Sequence, residues 1–304
     1  TQLSAEIAQS IKSFVTTGFN TDTPYFKGMF ERFVDEPGAL VKGPWLSMGL
    51  PFQQGTDGRN FFAGFATQYP PYMHQQQAWQ RIASDKMAQS TLVATGTGSG
   101  KTECFLYPLL DHCVRHPQKG VKAIVIYPMN ALATDQAKRF AKEIHQTSGL
   151  KGKVRVGLCV GGKEDLPSKT MSADSVITDK DVLRSDPPDI LLTNYKMLDF
   201  LLLRPKDQQL WRHNGPDTLR YIVVDELHTF DGAQGTDLAC LIRRLKGRLL
   251  DPDKSQPLIA LGTSATLGSG DGAAALTEYA KQVFRSEFDQ HSVITEQRQS
   301  RDQF

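Results

Sequence analysis

Cysteine is scarce in this sequence and follows no recognisable pattern. The four cysteines among 304 residues lie at positions 104, 113, 159 and 240, and none belongs to a C-x-x-C pair. This spacing excludes the common zinc and iron–sulfur frameworks and offers no disulfide scaffold. Cys104, Cys159 and Cys240 stand in apolar surroundings, so we expect buried thiols in a reducing, cytoplasmic compartment.

Long apolar runs and an excess of one charge are also missing. No stretch reaches the roughly 18–20 consecutive apolar residues of a membrane span, and the first residues have no signal-peptide pattern. The 35 basic and 33 acidic residues leave a formal net charge of +2. Any nucleic acid would therefore have to follow a local track of polar or basic groups, because the chain has no general basic field.

The most informative run is ATGTGSGKTE at residues 94–103, which lies between a predicted buried strand and a predicted helix. Its glycines permit a tight turn whose backbone N–H groups can surround an anion. The helix that begins at Lys101 presents the positive end of its dipole to the same place. We infer a phosphate loop in which Lys101 reaches the β- and γ-phosphates of ATP and the Thr102 hydroxyl ligands Mg²⁺.

Thr95 stands where the simple phosphate-loop pattern has its first glycine, so the match is partial. The residues assigned to nucleotide binding in this run are Thr97, Gly98, Ser99, Gly100, Lys101, Thr102 and Glu103.

Two adjacent carboxylates end the run YIVVDELH at residues 221–228, directly after four residues of strand character. One acid at the carboxyl end of a strand can hold the Mg²⁺ that bridges nucleotide phosphates, and a second can deprotonate the attacking water. We assign Asp225 to the metal and Glu226 to the water, with Lys101 as the third catalytic residue. A plain helix cap is the alternative, and the upstream phosphate loop favours the catalytic reading.

Small hydroxyl residues form a third run, LGTSATL at residues 261–267, again after an apolar stretch. They could hydrogen-bond across the site to the acidic pair. Taken in order, ATGTGSGKTE, VVDELH and TSATL resemble motifs I, II and III of superfamily 2 helicases of the DEAD/DEAH type. The third position of the acidic motif departs from both patterns, because Leu227 stands there.

Further runs resemble one branch of that superfamily. YPMNALA at 127–133, TNYKMLD at 193–199 and HTFDGAQG at 228–235 are similar to the Lhr/YprA-like large helicases. These include the helicases of bacterial antiphage defence systems, of which the Druantia type is preferred and the DISARM type stays open. The resemblance covers about residues 69–300, and it extends to the first RecA-like lobe only.

The resemblance implies roles for residues outside the three motifs. Segments 127–136 and 187–198 correspond to nucleic-acid-contacting motifs, so Asn130, Thr193 and Asn194 are candidate contacts to the backbone of one DNA strand. In the family, the residues at His228, Ser264 and Thr266 would couple the ATP state to movement of a second lobe.

An adenine-reading glutamine is also implied, upstream of the phosphate loop. Gln75 stands at the family's Gln position within YPPYMHQ at 69–75, and an amide can both donate and accept hydrogen bonds. The neighbouring Gln76 and Gln77 leave the register open. Tyr69 or Tyr72 could stack on the base.

The spacing of apolar runs predicts an α/β fold with a parallel sheet covered by helices on both faces. Strands are expected near 91–94, 123–127, 155–160, 189–193, 220–224 and 258–263, and helices near 101–115, 131–146 and 232–250. The chemical motifs then fall at the carboxyl ends of strands, where open α/β sheets bind ligands. Pro108 conflicts with the first helix, which we nevertheless retain.

We expect three parts along the chain. Residues 1–68 form a helical and extended N-terminal extension, residues 69–270 form the RecA-like lobe, and residues 271–304 form a helix and a strand leading toward a second lobe. Within the lobe, the polar stretch 161–186 is expected to be a surface insertion with a mobile loop.

These features predict the ATP-binding lobe of a DNA helicase or translocase that tracks one strand. DNA rather than RNA rests on the resemblance alone. Its expected partners are DNA, a second RecA-like lobe, accessory domains and a defence-system subunit, with no membrane. Because the arginine finger belongs to the second lobe, this chain alone should hydrolyse ATP very slowly. An ATP-gated clamp or scaffold that never separates strands is the alternative.

Overall fold

The computed structural model describes residues 2–19, 23–36, 39, 49–83, 87–162, 166–251, 253, 257–265, 272–289 and 291–300. The chain divides into two compact units, between Leu50 and Pro51. That boundary falls earlier than the residue 68 expected from the sequence. Most of the extended chain expected before residue 50 lies outside the described residues.

The first unit contains two helices, α1 (Gln2–Gly18) and α2 (Met29–Asp35). Lys12 of α1 forms an ion pair with Asp35 of α2, and the Phe19 ring lies 6.3 Å from the Phe30 ring. Residues 24–28 form a turn between the two helices.

The second unit contains a seven-stranded sheet and seven α-helices among its described residues. The strands are β1 (Thr91–Ala94), β2 (Ala123–Tyr127), β3 (Val156–Cys159), β4 (Ile190–Asn194), β5 (Tyr221–Val224), β6 (Ile259–Ser264) and β7 (Val293–Thr295). The helices are α3 (Met73–Ile82), α4 (Lys101–Arg115), α5 (Asn130–Gln146), α6 (Lys180–Ser185), α7 (Tyr195–Leu203), α8 (Gly232–Leu249) and α9 (Gly272–Phe284). None of the described helices is long and apolar enough to cross a membrane.

The sheet has the order β3-β4-β2-β5-β6-β1-β7, and every pair of neighbours is parallel. Two apolar clusters fill its two faces. One joins alternate strand residues to α3, α4 and α5, and the other joins the remaining strand residues to α7, α8 and α9. The predicted α/β fold with a covered parallel sheet is confirmed, and it is that of a RecA-like lobe.

Parallel strands bring their carboxyl ends to one edge of the sheet. The register pairs Ala94 of β1 with Ser264 of β6, and Val224 of β5 with Gly262 of β6. The residues that follow β1, β5 and β6 therefore meet at this edge. This is how the fold brings the three motifs together.

A buried ion pair lies near the opposite edge of the sheet. The Lys122 side chain, just before β2, is fully buried and pairs with Asp189, just before β4. The Asp189 carboxylate also accepts a hydrogen bond from the Arg155 backbone N–H at 2.7 Å, just before β3. The start of three neighbouring strands is thus tied to one carboxylate.

Three local expectations need correction or comment. Helix α4 runs unbroken through Pro108. Cys240 is exposed, because it lies on the outward face of α8, whereas Cys104, Cys113 and Cys159 are buried. The stretch 161–186 is more than a surface insertion, since Val176 and Ile177 are buried and Ile177 pairs with Gly157 of β3.

Candidate nucleotide site and nucleic-acid face

Backbone conformation shapes the phosphate loop after β1. Gly98 and Gly100 adopt left-handed conformations, with φ of 79° and 82°, which glycine adopts without steric cost. A Cβ at Gly100 would also lie 2.3 Å from the Gln75 amide nitrogen. The positive φ therefore strains any other residue at position 100, and a Cβ there would also displace the Gln75 amide.

The Lys101 ammonium lies at the centre of the site. Its Nζ is 3.1 Å from Glu226 Oε1, and it donates to the Ser264 carbonyl at 3.3 Å. Thr102 follows on the first turn of α4 and is buried. One cation thus contacts both the acidic motif and the hydroxyl-rich motif.

The acidic pair is held from β6 by Thr263. The Thr263 hydroxyl donates to Asp225 and accepts the Glu226 backbone N–H at 2.9 Å. Asp225 is buried, and this burial raises the pKa of its carboxyl; the Thr263 hydrogen bond opposes the rise, the nearby Glu226 adds to it, and Lys101 lowers it. The charged form of Asp225 is therefore disfavoured in this site, and a bound cation would stabilise it.

Glu226 has an unusual backbone conformation. Its φ of 50° lies in the left-handed region, which is strained for a residue with a Cβ. This conformation turns the chain out of β5 into the short 3₁₀ helix Leu227–Thr229. Strain of this kind, held by tertiary contacts, is common where a side chain must be aimed at a functional site.

His228 connects the acidic motif to the end of β6. Its Nδ1 lies 3.2 Å from Ser264 Oγ and 3.5 Å from Glu226 Oε2. His228, Ser264 and the acidic pair therefore form one contact network. Thr266, the third predicted coupling residue, lies outside the described residues.

Gln75 and Gln76 have different surroundings. The Gln75 amide accepts from the Tyr72 N–H at 2.9 Å and donates to the Gly100 carbonyl at 3.1 Å. The Gln76 amide oxygen accepts the backbone N–H groups of Thr56 and Asp57. Gln75 thus contacts the phosphate loop, while Gln76 anchors the chain before α3.

A cavity of about 1010 Å³ covers these groups. Besides the phosphate loop and the acidic pair, it is lined by both candidate stacking tyrosines, Tyr69 and Tyr72, and by Gln75. Tyr69 is largely exposed and Tyr72 half-buried. Helix α5 contributes Arg139, which forms an ion pair with Glu103 of α4. This volume is enough for a nucleoside triphosphate.

The predicted nucleic-acid contacts behave differently from one another. Asn130 donates to the Gly161 carbonyl at 3.2 Å, and Asn194 donates to Asn130 at 2.6 Å, so both amides lie on one face. Together with residues of α7, including Lys196, they line a shallow pocket of about 400 Å³. Thr193 is fully buried and donates to the Cys159 carbonyl at 2.6 Å, so its side chain does not reach that face.

Several contacts in the site were not expected. The sequence pattern indicated that hydroxyls after β6 would reach the acidic pair, but it did not single out Thr263. His74 and Glu296 contact the phosphate loop. His74 lies in the run 69–75, but only its neighbours Tyr69, Tyr72 and Gln75 were assigned roles there, and Glu296 lies outside all of the motifs. Only tertiary structure brings them there.

A parallel sheet with a phosphate loop, an acidic pair and a hydroxyl-rich strand end at one edge defines a RecA-like lobe of the P-loop NTPase class. Residues 72–271 match the DEAD/DEAH box helicase family. The chain belongs to that family.

Two relatives illustrate the similarity. Druantia protein DruE of Escherichia coli (strain UMEA 4076-1) is 27% identical over 295 residues, covering 66% of this chain and 16% of DruE. The uncharacterized ATP-dependent helicase YprA of Bacillus subtilis (strain 168) is 31% identical over 198 residues, covering 65% of this chain and 23% of YprA. The chain thus spans less than a quarter of the length of either protein.

Solved structures give the same picture of the fold. The crystal structure of the DUF1998 helicase MrfA has a TM-score of 0.55 and 26% identity, covering 74% of this chain and 30% of MrfA. MrfA bound to DNA and AMPPNP has a TM-score of 0.56 at 23% identity, over 75% of this chain and 27% of that one. The Mycobacterium smegmatis helicase Lhr bound to ssDNA and AMP-PNP has a TM-score of 0.52 at 24% identity, over 74% and 26%.

Proposed function

We propose that this chain is the ATP-binding lobe of an ATP-dependent DNA helicase or translocase. The observation that carries the proposal is the single contact network at the carboxyl edge of the sheet. In it, Lys101 contacts Glu226 and the end of β6, and His228 contacts Ser264. The Thr263 hydroxyl binds the Asp225 carboxylate and the Glu226 backbone N–H. These groups surround a cavity large enough for ATP.

Within this proposal, the loop N–H groups and Lys101 bind the phosphates of ATP. Lys101 pairs with Glu226 at 3.1 Å. This pair would break when the Lys101 ammonium binds the γ-phosphate. Glu226 then becomes free to orient and deprotonate the attacking water. Gln75, held at the loop by Gly100, has a remaining amide proton and lone pair for the adenine edge.

The donor set fits Mg²⁺. The Thr102 hydroxyl and the Asp225 carboxylate both line the cavity next to Lys101, and hard oxygen donors suit this ion. The raised pKa of buried Asp225 indicates a carboxylate that gains from a bound cation. When bound, the ion would neutralise charge that develops on the phosphates.

We propose the face formed by Asn130 and Asn194 as the nucleic-acid contact. Amides there can bind sugar–phosphate backbone without choosing sequence. MrfA and Lhr are described as bound to DNA or ssDNA, which supports DNA for this chain. The similarity to Druantia protein DruE supports a role in antiphage defence, with other subunits of such a system as partners.

We also propose that this chain alone hydrolyses ATP very slowly. In the described part of the chain, the acidic pair has an ion pair with one lysine, Lys101, and none with an arginine. An arginine finger from a second lobe is worth about 10³–10⁵ in rate. Turnover by this chain near ~1–100 s⁻¹, the range typical of phosphoryl-transfer enzymes, would contradict the proposal.

The test uses Glu226→Gln to separate ATP binding from hydrolysis. It is made in the complete polypeptide, by which we mean this lobe together with the proposed second lobe. Removing the base should lower turnover about 10²–10⁴-fold, whereas ATP affinity should stay the same or rise. Exposed Glu287→Gln is the matched control and should behave as wild type. Full hydrolysis by the Glu226→Gln variant would contradict the assignment, and tight DNA binding without DNA-stimulated hydrolysis would favour the ATP-gated clamp.

A further inference from the structure

Glu296 lies outside the sequence motifs described above, yet its carboxylate contacts the phosphate loop. Its Oε2 accepts a hydrogen bond from the Gly96 backbone N–H at 2.8 Å. Glu296 directly follows β7, which pairs in parallel with β1, the strand that runs into the loop. The side chain is only 17% exposed. The sheet thus places a partly buried carboxylate against the first limb of the loop.

The loop is shaped to receive this carboxylate. A Cβ at position 96 would lie 3.1 Å from Glu296 Oε2, closer than side-chain carbons normally approach a neighbour. Gly96 itself has no positive φ, so conformation does not require glycine here. A side chain at position 96 would therefore push the Glu296 carboxylate away by a few tenths of an ångström, so glycine favours the close contact.

Arg298 holds the other side of the Glu296 carboxylate. Its guanidinium donates to Glu296 Oε1 at 2.9 Å and lies 4.4 Å from the centre of the Phe52 ring. Burial raises the pKa of Glu296, but the Gly96 N–H and Arg298 outweigh it, so the pKa is lowered overall. The carboxylate is therefore ionised at neutral pH, and Arg298 offsets its repulsion of an incoming phosphate.

A second side chain holds the far limb of the loop. His74 Nε2 lies 2.9 Å from the Ser99 carbonyl, and the Phe52 ring packs 5.7 Å from the His74 ring. Backbone hydrogen bonds join residues 51–53 to residues 297–299. Phe52, His74, Glu296 and Arg298 thus form one assembly around residues 96–99, which we call the loop clasp.

We propose that Glu296 is a positioning residue that holds the phosphate loop in its nucleotide-accepting shape and ties the loop to the segment after β7. Displacement of that segment would then change the affinity for nucleotide. A loop that is already ordered loses less entropy when it binds ligand. The inference rests on the proposed function in so far as the loop binds ATP, but the loop–carboxylate contact is measurable without nucleotide.

The experiment compares Glu296→Ala and Glu296→Gln with wild type in the complete polypeptide. Hydrogen–deuterium exchange of residues 94–100 is measured without nucleotide, and the KM and kcat for ATP are measured separately. We expect Glu296→Ala to speed exchange in this segment and to raise KM about tenfold, as expected for loss of a charge-assisted hydrogen bond. The kcat should change little, because Glu296 contacts no reacting group.

Glu296→Gln keeps an acceptor for the Gly96 N–H. Its KM and its exchange at residues 94–100 should therefore both lie closer to wild type than those of Glu296→Ala. Exposed Glu287→Ala is the matched control and should leave both readouts unchanged. A uniform rise in exchange throughout the sheet would mark general destabilisation, and the better-folded Gln variant then supplies the comparison.

Unchanged exchange at residues 94–100 in Glu296→Ala would overturn the inference. Faster exchange with an unchanged KM would overturn the link to nucleotide affinity. If wild-type protein neither binds nor hydrolyses ATP, the proposed function fails, and the exchange of residues 94–100 still decides whether Glu296 holds the loop.

Discussion

At the scale of single residues, Thr263 is the residue on which the acidic pair depends most. Thr263 is 1% exposed, and its hydroxyl donates to Asp225 and accepts the Glu226 backbone N–H. Thr263 therefore helps to fix the position of the acidic pair, although it has no proposed part in the chemistry.

Thr263→Val tests this role, because valine has nearly the same shape and no hydroxyl. Leaving a buried polar group without its partner costs about 1–3 kcal/mol, so we expect the free energy of unfolding to fall by about that amount. Urea denaturation measures it, and Thr263→Ser should recover most of the loss. A valine variant as stable as wild type would show that the hydroxyl is dispensable.

Asp225 predicts a pH dependence of stability in the metal-free protein. Its pKa is raised in the folded state, mainly by burial, so the folded protein binds this proton more tightly than the unfolded chain. Asp225 therefore destabilises the fold above its folded pKa, and this effect is lost as the pH falls below the unfolded value of about 3.9.

Asp225→Asn removes this charge while keeping an oxygen for the Thr263 hydroxyl. We expect the variant to be more stable than wild type at pH 7 in the presence of a chelator, and to lose that advantage as the pH falls toward 4. Urea denaturation at several pH values measures the difference. A variant less stable than wild type at pH 7 would contradict the account of Asp225.

At the scale of secondary-structure elements, the two edges of the sheet have different tasks. The carboxyl edge collects the loops that follow β1, β5 and β6, with strained Glu226 among them. Near the opposite edge, the Lys122–Asp189 pair ties together the starts of β2, β3 and β4. A firmly held edge allows the functional edge to carry strain and buried charge.

Asp189→Asn tests the structural edge. The change leaves the fully buried Lys122 ammonium without its anion, and breaking a buried pair costs about 3–5 kcal/mol. We expect a loss of that order in the free energy of unfolding by urea denaturation. The double variant Lys122→Met with Asp189→Asn should recover much of it, because no unpaired charge remains. Equal instability of the single and double variants would contradict this explanation.

At the scale of the whole molecule, the sequence predicted the sheet well. Near-continuous apolar runs such as 123–127 have few alternatives to a buried parallel strand, and the motifs mark the carboxyl ends. Local pattern also predicted helix α4, although Pro108 argued against it. The contacts of the larger unit supplied enough packing to keep that helix continuous.

The sequence could not predict contacts that only the three-dimensional fold creates. Glu296 is far from Gly96 along the chain, and β7 brings it there. Thr193 was predicted to contact nucleic acid. It lies near the carboxyl end of β4, where its side chain is buried and its hydroxyl donates to the Cys159 carbonyl. The sequence also could not show which of Gln75 and Gln76 contacts the phosphate loop, because adjacent residues on a helix face different neighbours.

In the proposed function, nucleic acid bound to this lobe controls ATP hydrolysis. We propose that the network that joins Lys101, Glu226, His228 and Ser264 at one sheet edge binds and hydrolyses nucleotide. Whether nucleic acid on the face of Asn130 and Asn194 drives that hydrolysis is the central functional question.

The most direct measurement is ATP hydrolysis by the complete polypeptide with single-stranded DNA, duplex DNA or RNA, with Glu226→Gln as the control. We predict strong stimulation by DNA, weaker stimulation by RNA, and loss of both in the Glu226→Gln variant. Hydrolysis that does not respond to DNA, or that survives the loss of Glu226, would contradict the account.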